Sequence, residues 1–210
     1  MSKRLPRKIP AQPEKRRTHK AKERLVPSTV SWLPPPEHYA DFEAWGKAAE
    51  KAKQYRTATL HALQRSPKNE ALRREYDNIW ELYWYCLDRA YPASFWEGME
   101  ELLAGKTANL GVYIAFLEAD SYFFRSGYAK AEVIRGLKRQ DLTLAQKKRL
   151  QEVVIKVVEK GFRREFRSYC RLARHIQTPE WLLTLEALLS SQDPMQALRA
   201  KWVLEACLKK

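Results

Sequence analysis

The stretch that decides the fold runs from Thr143 to Leu208 and reads TLAQKKRLQEVVIKVVEKGFRREFRSYCRLARHIQTPEWLLTLEALLSSQDPMQALRAKWVLEACL. It consists of two blocks that repeat the same spacing of apolar residues, so that Leu150 matches Leu182 and Arg167 matches Arg199. Each block contains an apolar helical segment, a short break and a second helical segment. This pattern predicts stacked helical hairpins.

The helix boundaries within this stretch carry local signals. Thr143 and Gln146 have the spacing of a capping box and predict a helix start at Leu144, with an end at Gly161. The next helix, FRREFRSYCRLARHI, is expected to begin at Phe162. Thr178-Pro179 and Asp193-Pro194 are cap-then-proline pairs and predict two further starts.

The last helix resembles the second helix of a HEAT-type repeat, which has an Asp-Pro start, an aliphatic–Arg pair and then small or apolar residues at helical spacing. The residues that carry this resemblance are Asp193, Pro194, Leu198, Arg199 and Ala206. Trp202 stands where the family usually has a small residue, and the first block has Gly161 and Phe162 in place of Asp-Pro. The resemblance covers residues 143–208. It implies a helical solenoid and no specific activity.

The rest of the chain predicts an all-α protein of eight or nine helices. Residues 1–33 contain several prolines, many lysines and arginines and few apolar residues, so we expect a disordered basic arm. Residues 34–210 are expected to form a single α-helical domain, a right-handed stack of antiparallel hairpins that is HEAT-like in residues 143–208. The helices expected before that stretch are Glu37–Arg65, Pro67–Tyr91, Ser94–Leu103, Thr107–Phe124 and Tyr128–Arg139.

The segment Pro67–Tyr91 has two adjacent apolar stripes, one of which contains Trp80 and Trp84. Such a wide apolar face predicts a central helix with neighbours on two sides. We therefore expect Trp80 in the core, with ligand stacking as the alternative. Ser66 before Pro67 is expected to be its N-cap.

The composition indicates a soluble protein of a reducing compartment. Three cysteines, Cys86, Cys170 and Cys207, lie far apart within helical patterns and are expected to be buried thiols. No apolar run approaches the ~18 residues that a membrane helix needs, and no apolar segment of a secretory signal follows the basic start. We expect a cytoplasmic or nucleoid-associated protein without membrane contact.

The net charge of +14 is concentrated in two regions. Residues 1–25 contain ten Lys/Arg and two Glu, and residues 143–178 contain ten Lys/Arg and three Glu. The remaining residues are close to neutral. Clustered positive charge favours polyanionic partners and indicates where they bind.

The helix FRREFRSYCRLARHI contains the strongest candidate site, because its arginines lie on one stripe beside the apolar face. Guanidinium groups on a rigid helix are suited to bidentate phosphate contacts. The alternative is structural, because Arg167 and Arg199 occupy equivalent repeat positions. The residues predicted to bind nucleic acid are Arg163, Arg164, Arg167, Arg171, Arg174, Lys147 and Lys148 in the folded part and Lys3, Arg4, Arg7, Lys8, Arg16 and Arg17 in the arm.

Enzymatic motifs are lacking in the sequence. There is no Gly-rich phosphate loop, no HExxH motif and no pair of cysteine ligands, so we expect no catalytic residue, no metal and no cofactor. Asp120 lies on an apolar stripe, where it either pairs with a Lys or Arg of a neighbouring helix or has a raised pKa and serves as an acid or base.

Three hypotheses on function remain. The first is a non-catalytic nucleic-acid-binding protein that contacts the phosphate backbone of DNA, RNA or a ribonucleoprotein. The second is a helical-repeat scaffold or adaptor whose basic face meets an acidic protein surface. A more remote alternative is a glycosylase that excises DNA bases on a helical-repeat fold.

Overall fold

The computed structural model describes residues 32–34, 41–91, 93–106, 109–123, 126–161 and 163–209. These residues contain ten α-helices and no strand, which confirms the all-α class. All of them except Trp32 belong to one unit, Leu33–Lys210. Residues 1–31 of the predicted disordered arm lie outside the described residues.

The helices follow one another with short connections. The first six are α1 (Phe42–Arg65), α2 (Glu70–Ala90), α3 (Ala93–Glu97), α4 (Met99–Ala104), α5 (Leu110–Ala119) and α6 (Ser126–Leu137). The last four are α7 (Leu144–Lys160), α8 (Phe166–Ile176), α9 (Pro179–Ala187), which continues into a 3-10 turn, and α10 (Pro194–Leu208). None of these described helices combines the length and apolar character that a membrane span requires.

The local capping signals of the C-terminal helices are confirmed. Thr143 and Gln146 make both hydrogen bonds of the capping box at the start of α7. Gly161 follows the last residue of α7 with φ of 124°, a conformation that favours glycine. The side chains of Thr178 and Asp193 accept hydrogen bonds from the first turns of α9 and α10, and a proline occupies the first position of each helix.

The predicted start of α8 at Phe162 is wrong, because α8 begins at Phe166. Residues 163–165 form a turn in which Glu165 is buried and its carbonyl accepts a hydrogen bond from the backbone of Ser168. The Glu165 side chain, which precedes the first residue of α8, is therefore inside the domain. Arg163 and Arg164 therefore lie in this turn and do not belong to the helical stripe.

The prediction of α2 as a central helix with Trp80 in the core is also wrong. Trp80 is 39% exposed, and the buried residues of α2 all lie in its C-terminal half. The helix packs chiefly against α1, where the guanidinium of Arg56 lies 4.7 Å from the centre of the Trp80 ring. Its N-cap is Asn69 rather than Ser66. The aromatic side chains of α2 thus pack against one another and against Arg56 along the helix surface. Rings packed in this way recur along the sequence at the same spacing as residues of a core face.

Two apolar centres hold the domain together. The first is aromatic and includes Phe42, Phe95 and Phe116, whose rings meet edge-to-face with centroids 4.9 to 6.1 Å apart. The second is mainly aliphatic and lies between α7, α8 and α10; the residues are Leu150, Val153, Val154, Val157, Leu172, Ala173, Ile176, Ala200 and Val203. All three cysteines are buried free thiols, as expected from the sequence.

The packing of α6, α8 and α10 positions the candidate site. Helix α6 packs against α4 on one side, where a Cβ at Gly136 would lie only 2.5 Å from Cγ of Leu102, and against α8 on the other. Helix α8 packs in turn against α10. The buried Arg199 of α10 donates hydrogen bonds to the carbonyl oxygens of Val158 (2.6 Å) and Glu159 (3.3 Å) near the end of α7.

A candidate nucleic-acid interface

An open groove of about 950 Å³ lies between α8 and α10, with the end of α6 at its edge. Its lining contains five Lys or Arg side chains and one carboxylate. The lining residues are Lys138, Phe166, Arg167, Cys170, Arg171, Arg174, His175, Trp202, Glu205, Ala206 and Lys209. We call this feature the basic groove.

The α8 side of the groove is formed by Arg167, Arg171 and Arg174. Their spacing places them on one helix face, at intervals of about 6 and 4.5 Å along the helix axis. The opposite face of α8 is buried in the domain core, so the helix holds these arginines in a fixed row. All three are exposed, and no carboxylate of the described residues lies within 4 Å of their guanidinium groups.

Lys138 adds a positive charge at the edge of the groove. Two neighbours fix the chain here: Arg139 donates a hydrogen bond to the carbonyl of Leu103, and Gln140 donates one to the carbonyl of Leu102. Burial lowers the pKa of Lys138, and the positive charge of Arg171 and its neighbouring arginines lowers that pKa further. A bound anion would offset this repulsion.

The α10 side of the groove is different in character. Trp202 is 37% exposed and meets Phe166 edge-to-face, with centroids 6.1 Å apart. Glu205 follows Trp202 by three residues and therefore lies on the same face of α10. It provides the only carboxylate in the groove lining that the structure describes. Lys209, which directly follows α10, adds one positive charge on this side. The groove thus has a row of arginines on one side and an aromatic ring with one carboxylate and one lysine on the other.

The structure brings together only part of the predicted site. Arg167, Arg171 and Arg174 line the basic groove. The guanidinium of Arg164 lies instead over the ring of Tyr128, 4.1 Å from its centre. Lys147 and Lys148 lie near the start of α7 and are not part of the groove lining. The predicted arm residues lie outside the described residues; they are Lys3, Arg4, Arg7, Lys8, Arg16 and Arg17.

Arg163 belongs to a separate cluster of charges around Asp120. Its Nη1 lies 2.5 Å from Oδ1 of the buried Asp120, and Lys130 donates a 2.8 Å hydrogen bond to the same oxygen. Lys160 Nζ lies 3.6 Å from Asp120 Oδ2, and Glu165 Oε1 lies 4.0 Å from Lys130 Nζ. The expected pairing of Asp120 with Lys or Arg side chains of neighbouring elements is confirmed. The role of Arg163 here is to neutralise a buried carboxylate.

Sequence reasoning missed Lys138, Trp202 and Lys209 as members of the groove. Trp202 carried a signal, because the resemblance to a HEAT-type helix predicts a small residue at its position. Lys138 and Lys209 carried none, because each is an ordinary surface lysine until the fold brings it beside the arginines of α8.

Comparisons of the chain with protein-family models, with curated proteins and with solved structures give no match.

Proposed function

We propose that the protein is a non-catalytic nucleic-acid-binding protein and that the basic groove contacts the phosphate backbone. The observation that carries the proposal is the row of Arg167, Arg171 and Arg174, which has no carboxylate partner among the described residues. Arginines without partners repel one another, and phosphates neutralise that repulsion with bidentate hydrogen bonds. The arm would add contacts that do not depend on nucleotide sequence.

The arginines around Lys138 support the same proposal, because after burial their positive charge is the next cause that lowers the pKa of Lys138. A cluster of positive charge that disfavours a neighbouring ammonium also attracts anions and accelerates their association. The groove is open rather than enclosed, so it can admit part of a longer polymer chain. A small anion would leave most of the cations unused.

A salt titration with two matched double variants tests this function. Arg171→Glu with Arg174→Glu should lower nucleic-acid affinity at least tenfold and should flatten the salt dependence, since each lost phosphate contact removes about 0.7 to 0.9 from the log–log slope. Arg73→Glu with Arg74→Glu makes the same charge change on exposed positions of α2, away from the groove lining. This control should lose much less affinity.

Two outcomes contradict the proposal. One is an affinity that both variants retain across all salt concentrations. The other is an affinity that both variants lose equally, since the effect then follows net charge and not the groove. If purified protein binds no nucleic acid but binds acidic proteins through Arg171 and Arg174, the scaffold hypothesis replaces this one.

We further propose that α7 with α8 and α9 with α10 are two HEAT-like hairpins. Two features support this proposal: α8 packs against α10, and Arg199 connects α10 to the last carbonyls of α7. In this arrangement the basic groove lies between the second helices of consecutive hairpins. Replacing Arg199 should therefore loosen α10 from α7 and open the groove.

A further inference from the structure

We infer that the basic groove takes a single-stranded nucleic acid, with backbone phosphates along α8 and one unpaired base stacked on Trp202. This inference rests on the proposed function and specifies its ligand. It follows from the chemical difference between the two sides of the groove. The ligand is a phosphodiester chain with accessible bases, a chemistry that single-stranded DNA and single-stranded RNA share.

The cationic side fixes where the phosphates lie. Arg167, Arg171 and Arg174 provide three positive charges along α8, whereas on the α10 side the positive charge of Lys209 is offset by the carboxylate of Glu205. A backbone in the groove therefore follows α8. The bases then point away from the arginines, towards α10.

The aromatic side gives those bases a surface on which to stack. Trp202 is partly exposed within the groove, and its contact with Phe166 at the ring edge supports the indole. Aromatic rings beside a positively charged groove are the usual means of binding single strands without sequence preference. Glu205 lies one turn further along α10, where its carboxylate can accept hydrogen bonds from base N–H groups.

A duplex fits this arrangement poorly. Its bases are paired and stacked inside the helix, so an indole at the surface cannot reach a base face without unstacking one. Its phosphates lie on both strands, and one set would face Glu205. The groove should therefore discriminate between single and double strands by the contact at Trp202.

The test compares Trp202→Ala and Trp202→Phe with the parent, by fluorescence anisotropy of labelled strands at one salt concentration. The probes are a short DNA strand without self-complementarity, the RNA of the same sequence, the DNA duplex and the same DNA strand carrying abasic sites. Trp84→Ala is the control, since Trp84 has nearly the same exposure at 38% and lies on α2, outside the groove lining. Circular dichroism checks that each variant is folded.

We expect the parent to bind single strands more tightly than the duplex and to bind the abasic strand about tenfold more weakly than the intact one. Trp202→Ala should lose about tenfold on intact single strands and little on the abasic strand or the duplex. Trp202→Phe should retain most of the affinity. The affinities for the DNA strand and for the RNA strand of the same sequence show which of the two the groove prefers.

The inference is overturned if the duplex binds as tightly as the single strand, or if Trp202→Ala weakens intact and abasic strands equally. In either case the loss caused by Arg171→Glu with Arg174→Glu would still show that the groove binds phosphates, so the proposed function would stand. Absence of binding to every probe would contradict both proposals. If Trp202→Ala does not fold, two comparisons still test the inference. One is the affinity of Trp202→Phe against that of the parent, and the other is the affinity of the parent for the intact strand against the abasic strand.

Discussion

Nζ of Lys130 lies 2.8 Å from Oδ1 of Asp120, and both side chains are buried. Asp120 is the only described residue other than glycine with positive φ, at 46°, and it ends α5 in the left-handed conformation. Burial lowers the pKa of Lys130, while the Asp120 carboxylate opposes that effect. The pair therefore depends on mutual neutralisation in the interior, and it joins the end of α5 to α6.

Asp120→Asn should lower the free energy of unfolding by about 3–5 kcal/mol, because it leaves the Lys130 ammonium buried with a carboxylate no nearer than 4.0 Å. Asparagine tolerates the left-handed conformation, so the backbone should not add to this loss. Adding Lys130→Met should recover part of it, since the interior then contains no unpaired ammonium. Urea denaturation of the single and double variants measures the coupling. Strictly additive losses would show that the pair does not act as a unit.

Arg199→Leu should lower the free energy of unfolding by about 2–4 kcal/mol, because the carbonyls of Val158 and Glu159 lose their donor in the interior. Arg199→Lys should give a smaller loss, since an ammonium can still donate to one carbonyl although it cannot reproduce the planar fork of the guanidinium. Denaturation curves of both variants check the order. A leucine variant as stable as the parent would show that water replaces the donor.

Trp45 on α1 and Trp80 on α2 should differ in their contributions to stability. Trp45 is 1% exposed, and Trp45→Ala should cost about 3–5 kcal/mol, as large-to-small changes in a core do. Trp80→Ala should cost less than half as much, since its indole is already partly in water. Thermal melts of the two variants measure the difference. Equal losses would show that Trp80 is held more firmly than its exposure indicates.

Local signals predicted well the parts of the fold that depend on neighbouring residues. The capping box at Thr143 and the cap-then-proline starts at Thr178 and Asp193 depend on hydrogen bonds within one turn, so the sequence contains the whole interaction. The same signal at Ser66 failed, because α2 starts after Asn69. At the start of α8, by contrast, the buried Glu165 lies beside Lys130, a contact between distant segments that no local pattern contains. The aromatic stripe of Trp80 was ambiguous, because rings that pack along a surface have the same spacing as rings in a core.

The repeat predicted equivalent roles for Arg167 and Arg199, but the two side chains differ. Helix α8 begins one residue before Arg167, whereas α10 begins five residues before Arg199. Arg199 is therefore one turn further into its helix, where it reaches the carbonyls at the end of α7. Arg167 lies in the first turn of α8 and remains exposed in the basic groove. Such differences in helix register cannot be recognised from matched residue types alone.

Nucleic-acid binding should become weaker at alkaline pH in a way that depends on Lys138. Burial and the neighbouring arginines lower the pKa of Lys138 in the free protein, and a bound phosphate should raise it. A group whose pKa is higher in the complex than in the free protein makes its full contribution to the binding free energy at pH values below the free-protein pKa. That contribution is lost as the pH rises through the pKa of the complex. The pH range over which the affinity falls therefore lies below and around the ordinary lysine pKa of about 10.4.

Calorimetric titration with an oligo(dC) strand, whose bases do not titrate in this range, measures the effect at neutral pH and at about pH 9.5. The parent should take up protons on binding at the higher pH, which appears as a dependence of the binding enthalpy on the ionisation enthalpy of the buffer. Lys138→Arg keeps the charge but cannot titrate there, so its proton uptake should be smaller and its affinity should change less with pH. Lys148→Arg makes the same substitution outside the groove lining and should behave like the parent. Proton uptake that is equal in all three proteins would place the titrating group elsewhere and would remove Lys138 from the proposed phosphate contacts.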